Sequence, residues 1–463
     1  MKKDIVFLIA FIITFFVSCT QDEMIYNEEI EEKGMIMNKK SRKHPLAPEI
    51  VRDQIVIQFK KQGLKEYQKE KIRGDVQNKY FFRIKKIEKC DCDDDRIELW
   101  TMDISDKYFI GIEDLVSELS TDDDDDDDLN GDYQFSITIQ NVDENVFDRD
   151  ITEITDRVLP KNAGDRVNIA IIDTGIDYDY FSTPFLYNSS GDNPNCRPNE
   201  IAGWDFVNND NDPRDDHAHG TLVYEIIREI LADKNVNHQI LPVKAFDRNG
   251  RSDYFKLTCA FKYIASKQKP FLVNCSFGFY NLKNQNIIEN IIKDNSDKLL
   301  VMASAGNEGV DTDAEGNEHF PSSYTAENIL TVGGYTGDFY FSPQMGSQYV
   351  SGFDVAPESN FGANSIDVVS LFKHKMTLEA VKRGDTLHRI EAKVKGTSFA
   401  CPIVTARAAR VYAKNPVLPF LLKNSVLGTC HKNVSLRNKI KNSKILVKGY
   451  FFEAVYHPPT PTQ

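Results

Sequence analysis

Four short segments carry side chains able to move an acyl group: IIDTGID (Ile171–Asp177), HAHGT (His217–Thr221), ASAGNEG (Ala303–Gly309) and GTSFACP (Gly396–Pro402). A serine hydroxyl becomes a nucleophile when a histidine takes its proton, and a carboxylate fixes that histidine's tautomer. Ser398, His219 and Asp173 are the candidates for these roles. An amide such as that of Asn307 supplies a donor for the oxyanion formed when the hydroxyl adds to a carbonyl. Of the two neighbouring histidines, His219 precedes Gly220-Thr221 and a helical run whose Leu222, Val223, Ile226, Ile227, Ile230 and Leu231 share one face. His219 therefore belongs at a helix start, and His217 in an exposed position in the loop before it. Asp173 follows an apolar run and precedes Thr174-Gly175, a turn at a strand end, whereas Asp177 and Asp179 have no such placement.

These residues need a frame that converges on one place. From about Asn145 onward apolar strand-like runs (Val167–Ile172, Gln239–Val243, Phe271–Cys275, Leu299–Ala303, Ile329–Val332, Ile366–Val369) alternate with helical ones (Thr221–Leu231, Lys256–Ser266, Ile287–Asn295, Ser398–Ala413). That alternation predicts an α/β unit, a largely parallel sheet with helices on both faces. Active sites in such sheets gather at the carboxyl ends of the strands, where Asp173, Ser276 and Asn307 all fall. Ser398 opens a small-residue helix whose N-terminal dipole suits an oxyanion, with Pro402 expected in the first turn, where a missing N–H is tolerated.

In motif and order, Asp173…His219…Asn307…Ser398, the chain resembles the subtilase family of serine endopeptidases. The run GWDFVNNDNDPRDD (Gly203–Asp216) is similar to the loop before the family's histidine. In some relatives that loop binds calcium, and Asp210, Asp212, Asp215 and Asp216 offer hard oxygen ligands, with a solvated acidic loop as the alternative. No cofactor is required by the expected chemistry. Asn274–Gly278 resembles the segment that pairs with an extended peptide, so Ser276, Phe277 and Gly278 are candidate substrate-binding residues, with Phe277 either core or pocket wall. A second edge is expected near Gly250–Tyr254. The chain departs from the family's pattern at Ala218, at Leu222–Glu225, and at Phe399 and Cys401. These changes argue for a dedicated processing role over broad degradation. A non-catalytic binding protein on the same scaffold is the competing class.

The segment before this unit has its own logic. Lys2 and Lys3, an apolar run from Ile5 to Val17, and Ser18-Cys19 read as a lipoprotein-type signal over residues 1–18, with Cys19 as the lipidated residue. An ordinary secretory signal is the alternative. Lipidation at Cys19 implies a bacterial membrane as anchor, and Thr20–Glu23 resembles an acidic tag for the outer membrane surface. Residues 19–44 read as an acidic tether. Residues 45–141 read as a β-α-β-β-α-β ferredoxin-like domain, with helices at Gly63–Arg73 and Gly111–Leu119 and strands at Ile55–Phe59, Tyr80–Ile87, Ile97–Ile104 and Tyr133–Ile139. Its position resembles that of the subtilase propeptide, which implies an intramolecular inhibitor. An unrelated accessory domain is the alternative. Residues 142–160 read as a linker, 161–457 as the subtilisin-like domain and 458–463 as a tail. Asp122–Asp128, seven consecutive aspartates, reads as a solvated block, with a calcium-responsive role as the alternative.

The expected partners are polypeptide substrates and a membrane. A net charge of −14 argues against nucleic acid. Of the eight cysteines, Cys259, Cys275 and Cys401 sit in apolar runs and read as free small hydrophobes. Cys90 and Cys92 lack the companions a zinc site needs, and the spacings suggest neither a disulfide framework nor a metal site.

Overall fold

The computed structural model describes residues 46–90, 96–120, 128–139, 166–177, 186–187, 197, 200–282, 285–342, 347–381 and 387–446. The signal segment with Cys19, the tether, Cys92, Asp122–Asp127, the 142–160 linker, Asp179, Cys196 and the tail lie outside these residues. Among the described residues no helix is long and apolar enough to cross a membrane.

The first domain runs β1 (Ile50–Phe59), α1 (Glu66–Tyr80), β2 (Arg83–Lys89), β3 (Ile97–Asp103), α2 (Ile112–Leu119) and β4 (Leu129–Thr138). Its antiparallel sheet has the order β2-β3-β1-β4, a ferredoxin-like arrangement. Helix α1 is longer than expected and displaces the start of β2. Its inner face is charged, so apolar periodicity does not mark its end: Lys69 and Arg73 are buried, and Arg73 makes paired bonds of 2.5 and 3.1 Å to the buried Glu98. Phe81, left-handed at φ 58°, terminates it.

The second domain contributes β5 (Val167–Asp173), β6 (Trp204–Asp205), α3 (His219–Asp233), β7 (His238–Lys244), β8 (Arg251–Asp253), α4 (Tyr254–Ala265), β9 (Phe271–Cys275), β10 (Phe279–Tyr280), α5 (Ile287–Asp294) and β11 (Leu299–Ser304). It continues with β12 (His319–Phe320), β13 (Ile329–Ser342), β14 (Ser347–Val355), β15 (Val368–Leu371), β16 (Lys373–Val381), β17 (Leu387–Lys395), α6 (Thr397–Lys414), α7 (Pro419–Gly428), β18 (His431–Lys432) and β19 (Lys444–Ile445). The main sheet runs β19-β15-β13-β11-β9-β5-β7-β6 in parallel, and β14 and β18 join it antiparallel. Alternate strand residues serve opposite faces: Ala170 and Ile172 pack with Leu257 of α4 and Ile291 of α5, while Ile169 and Ile171 pack with Leu222 of α3 and Val404 of α6. The expected α/β sheet with both faces covered is the observed one. The β16–β17 hairpin, which leads into α6, was not anticipated.

The two domains share a core. One face of the first sheet packs on its own helices, and the other face, through Val56, Leu99, Phe135 and Ile137, joins the cluster that holds α4 and α5. Phe135 lies 5.2 Å from Tyr254 and 4.9 Å from Phe279 by ring centroids. Strand β4 pairs with β8 from Ser136↔Asp253 to Thr138↔Arg251, and Ile139 N–H donates to Gly250 O. Asp132, fully buried, accepts from Tyr254 Oη (2.5 Å) and from the first N–H groups of α5 at Asn286 (3.1 Å) and Ile287 (2.7 Å). Contrary to expectation, Cys90 and Cys259 form a disulfide across this interface, 169 residues apart in sequence. No local spacing reveals a pair that tertiary docking brings together. Closing a loop of that length restrains the unfolded chain by about 5 kcal/mol in the chain-entropy account. Cys275, Cys401 and Cys430 are free and buried.

Candidate active site

Asp173 ends β5 and His219 begins α3, and the sequence lets these two elements touch. A Cβ at Gly220 would lie 2.2 Å from Gly175 O and 3.1 Å from Asp173 Cβ, so only glycine admits the helix start to the strand-end turn. Gly175 has φ +105° and a Cβ there would meet Pro213 O at 2.5 Å. The result is a buried pair: His219 Nδ1 lies 2.8 Å from Asp173 Oδ1, which also accepts Thr174 N–H at 2.8 Å. The Nδ1 proton donates to the carboxylate, which leaves Nε2 as the basic nitrogen. Burial works against charge on His219, but the charge and hydrogen bond of Asp173, with Asp215 behind, raise its pKa above the ordinary value.

Asp215 is the organiser that sequence reasoning missed. Read as one member of a solvated acidic loop, it is fully buried. It accepts the N–H groups of His217, Ala218 and Thr221 at 2.9 Å each and the Thr221 hydroxyl at 2.6 Å. Thr221 Oγ1 in turn accepts Asp177 N–H at 2.9 Å, which ties α3 to the Asp173 turn. Asp216 instead pairs with Lys244 at 2.6 Å, and Asp210 accepts Asp212 N–H. Among the described residues, no three or more His, Cys, Asp or Glu side chains group so as to hold a metal ion. His217 is half-buried rather than exposed; its ring centroid is 6.4 Å from that of His219, and burial followed by the neighbouring histidine's charge lowers its pKa.

Ser398 is the second residue of α6, after Gly396 at φ +132°. Its hydroxyl donates to Ser276 O at 3.0 Å, and the buried His219 Nε2 makes no hydrogen bond among the described residues. Phe399, one of the departures from the resembled pattern, packs its ring 5.2 Å from that of His219. Pro402 is the sixth helical residue, not part of the first turn. Its absent N–H would leave Ser398 O without the usual donor, and Ser276 Oγ supplies one at 2.7 Å.

The Ser276 side chain is buried, accepts Asn274 Nδ2 at 2.9 Å and braces α6. Phe277 is also buried, packed 5.2 Å from Phe246 within the core. Gly278 lies against the ring of His319, which a Cβ would meet at 2.0 Å; burial pushes the His319 pKa down to about 3, so the ring is neutral. Asn307 follows β11. Its Oδ1 accepts Thr397 N–H at 2.8 Å and Thr397 Oγ1–H at 3.1 Å, which assigns the opposite end of the amide as the nitrogen donor.

Asp173, His219, Asn307 and Ser398 thus meet at the carboxyl ends of β5 and β11 and the starts of α3 and α6. The model of the Subtilase family (peptidase S8) matches residues 164–444. The chain belongs to the subtilase family. Among subtilase relatives, it is 32% identical over 248 residues to the thermophilic serine proteinase of Bacillus sp. (strain AK1), covering 52% of this chain and 51% of that protein. It is 27% identical over 304 residues to the cell wall-associated protease of Bacillus subtilis (strain 168), covering 63% and 28%. It is 25% identical over 330 residues to subtilisin-like protease 1 of Plasmodium falciparum (isolate 3D7), covering 64% and 45%. The chain spans about half the length, or less, of these curated relatives. Similar solved structures include a cold-adapted subtilisin-like serine proteinase (21% identity, 61% of this chain, 88% of that one, TM-score 0.43) and a lanthipeptide protease (20%, 60%, 85%, TM-score 0.45).

Proposed function

We propose that this subtilase is a serine endopeptidase held in check by its own first domain. Ser398 Oγ attacks the scissile carbonyl while His219 Nε2 takes its proton, and the Asp173 carboxylate stabilises the imidazolium. The amide nitrogen of Asn307 and the N–H groups at the start of α6 receive the oxyanion. His219 then returns the proton to the leaving amine, and water repeats the sequence on the acyl-enzyme. The observation that carries this reading is the buried 2.8 Å Asp173–His219 pair beside a helix start that bears Ser398, with Asn307 pinned to the same start. These side chains complete the chemistry without a cofactor.

The β4–β8 pairing supports the inhibitory role of residues 45–141. It leads the chain to Ile139: a Cβ added at Gly250 would meet Ile139 Cγ1 at 3.0 Å and His217 Nε2 at 3.2 Å, so the end of β4 lies beside the loop that carries His217. The described part of the first domain thus ends beside the Gly250–Asp253 edge, which β4 itself covers. The Cys90–Cys259 disulfide suits an oxidising compartment, in keeping with export and with lipidation at Cys19 to a bacterial membrane, the outer membrane above all. The departures at Ala218, Leu222–Glu225, Phe399 and Cys401 favour a dedicated processing task on a restricted set of polypeptides.

Labelling with a fluorophosphonate tests the reading. Wild type should label at Ser398, and should separate on a reducing gel into two fragments, whereas Ser398→Ala should neither label nor cleave. A wild type that stays intact yet hydrolyses peptides freely would remove the inhibitory role. Unchanged detergent partitioning of Cys19→Ser would remove the anchor.

A further inference from the structure

The oxyanion candidate Asn307 is held at both ends, and only one end belongs to the motifs. Its side chain is pinned by Thr397. Its backbone lies in the loop Ala305–Val310, and behind that loop sits Asn360, fully buried. Asn360 Nδ2 donates to Ala305 O at 2.8 Å and to Tyr280 Oη at 2.7 Å. Its Oδ1 accepts Glu308 N–H at 3.1 Å and Val310 N–H at 3.2 Å, and its own N–H donates to Gly306 O at 3.0 Å. One planar amide therefore satisfies the loop's entry and its exit, on both sides of Asn307. The approach is close enough to need a glycine: a Cβ on Gly306, at φ +95°, would fall 2.5 Å from Asn360 Nδ2 and 2.4 Å from Tyr280 Oη.

We infer that Asn360, backed by Tyr280, is a positioning residue for the oxyanion donor Asn307; this rests on the catalytic reading above. The side chain lies behind the loop and spends both ends of its amide on its partners, so it acts on the reaction through Asn307. The function needs an amide. Aspartate lacks the two N–H donors that hold Ala305 O and Tyr280 Oη, and alanine removes both the donor to Ala305 O and the acceptor of the Glu308 and Val310 N–H groups. An oxyanion donor works only when preorganised within a few tenths of an ångström, so a looser loop lowers the rate without removing any reacting atom.

The test is a double-mutant cycle on the full chain, read as the second-order rate of fluorophosphonate labelling at Ser398, with thermal unfolding as a control. Asn307→Ala should slow labelling by about 100-fold. Asn360→Ala should slow it by roughly 10-fold, and Asn307→Ala with Asn360→Ala should match Asn307→Ala alone within about twofold, because coupled residues are non-additive. Tyr280→Phe keeps the ring but removes the hydroxyl that receives Asn360 Nδ2 and the Asn307 and Glu308 N–H groups; it gives a loss that also vanishes without Asn307, should Asn360→Ala fail to fold. Equal losses from Asn360→Ala (or Tyr280→Phe) with and without Asn307 would overturn the inference in favour of general destabilisation. A full effect of Asn307→Ala with none from Asn360→Ala would overturn it while sparing the catalytic reading. No effect of Asn307→Ala would overturn both.

Discussion

Two buried aspartates do similar work in different places. Asp215 gathers the N–H groups that open α3, and Asp132 gathers those that open α5. The partners of Asp215 lie within six residues, so its cap is part of the local chain and seats His219 opposite Asp173. The partners of Asp132 lie 122 to 155 residues away, in another domain. Its cap exists only when the two domains dock. The first cap builds a site; the second makes a joint conditional on assembly. The second is also poorly solvated: burial raises the Asp132 pKa to about 7, against the pull of its three donors.

Four substitutions press on that contrast, in falling order of effect. Asp173→Asn should cut turnover by about 10⁴-fold while leaving the docked domains unchanged, because the amide favours the wrong tautomer of His219. Fluorophosphonate labelling and a thermal melt read the two halves of that statement. Asp215→Ala strands the buried N–H groups of Ala218 and Thr221, at about 1–3 kcal/mol each before relaxation, and the half-buried one of His217. It should lower stability by several kcal/mol and slow labelling at least tenfold. Labelling at the wild-type rate would show that Asp215 does not seat His219.

Asp132→Asn should leave labelling no slower than wild type and change the pH dependence of stability. A carboxyl whose pKa is raised by docking stabilises most below its ordinary range, near pH 4, and loses that contribution as pH rises to about 7. The thermal-stability advantage of wild type over Asp132→Asn should therefore shrink from pH 4 to pH 7 and then level. A constant difference would show that the carboxyl does not titrate there. The smallest effect belongs to Ala218→Gly. Ala218 has φ 91°, where a side chain costs roughly 1–2 kcal/mol, and glycine returns part of that to the unfolded chain. A gain of about 0.5–1 kcal/mol in denaturant unfolding is expected, without loss of activity.

The same contrast explains what was legible in the sequence. The Asp173 turn, the His219 helix start and the Ser398 helix are each written in a few adjacent residues, with glycines where backbones must meet. The alternation of strands and helices marks the parallel sheet for the same reason. What escaped was set by contacts distant in the chain. The hydroxyl of Ser276 completes the helix that Pro402 interrupts, through a bond that spans 122 residues of sequence. The charged inner face of α1 hides that helix's length from any apolar pattern. Cys90 and Cys259 meet only across the docked interface, and Asn360 lies 50 residues or more beyond the loop it holds.

The disulfide also decides what a cut between the domains would mean. A break between residues 140 and 165 would double the number of polypeptides without changing the number of molecules. The first domain would stay at one copy per enzyme, at the local concentration its tether imposes, and dilution could not wash it away. Any inhibition it exerts would be independent of protein concentration, ending only with reduction of that bond or destruction of the domain.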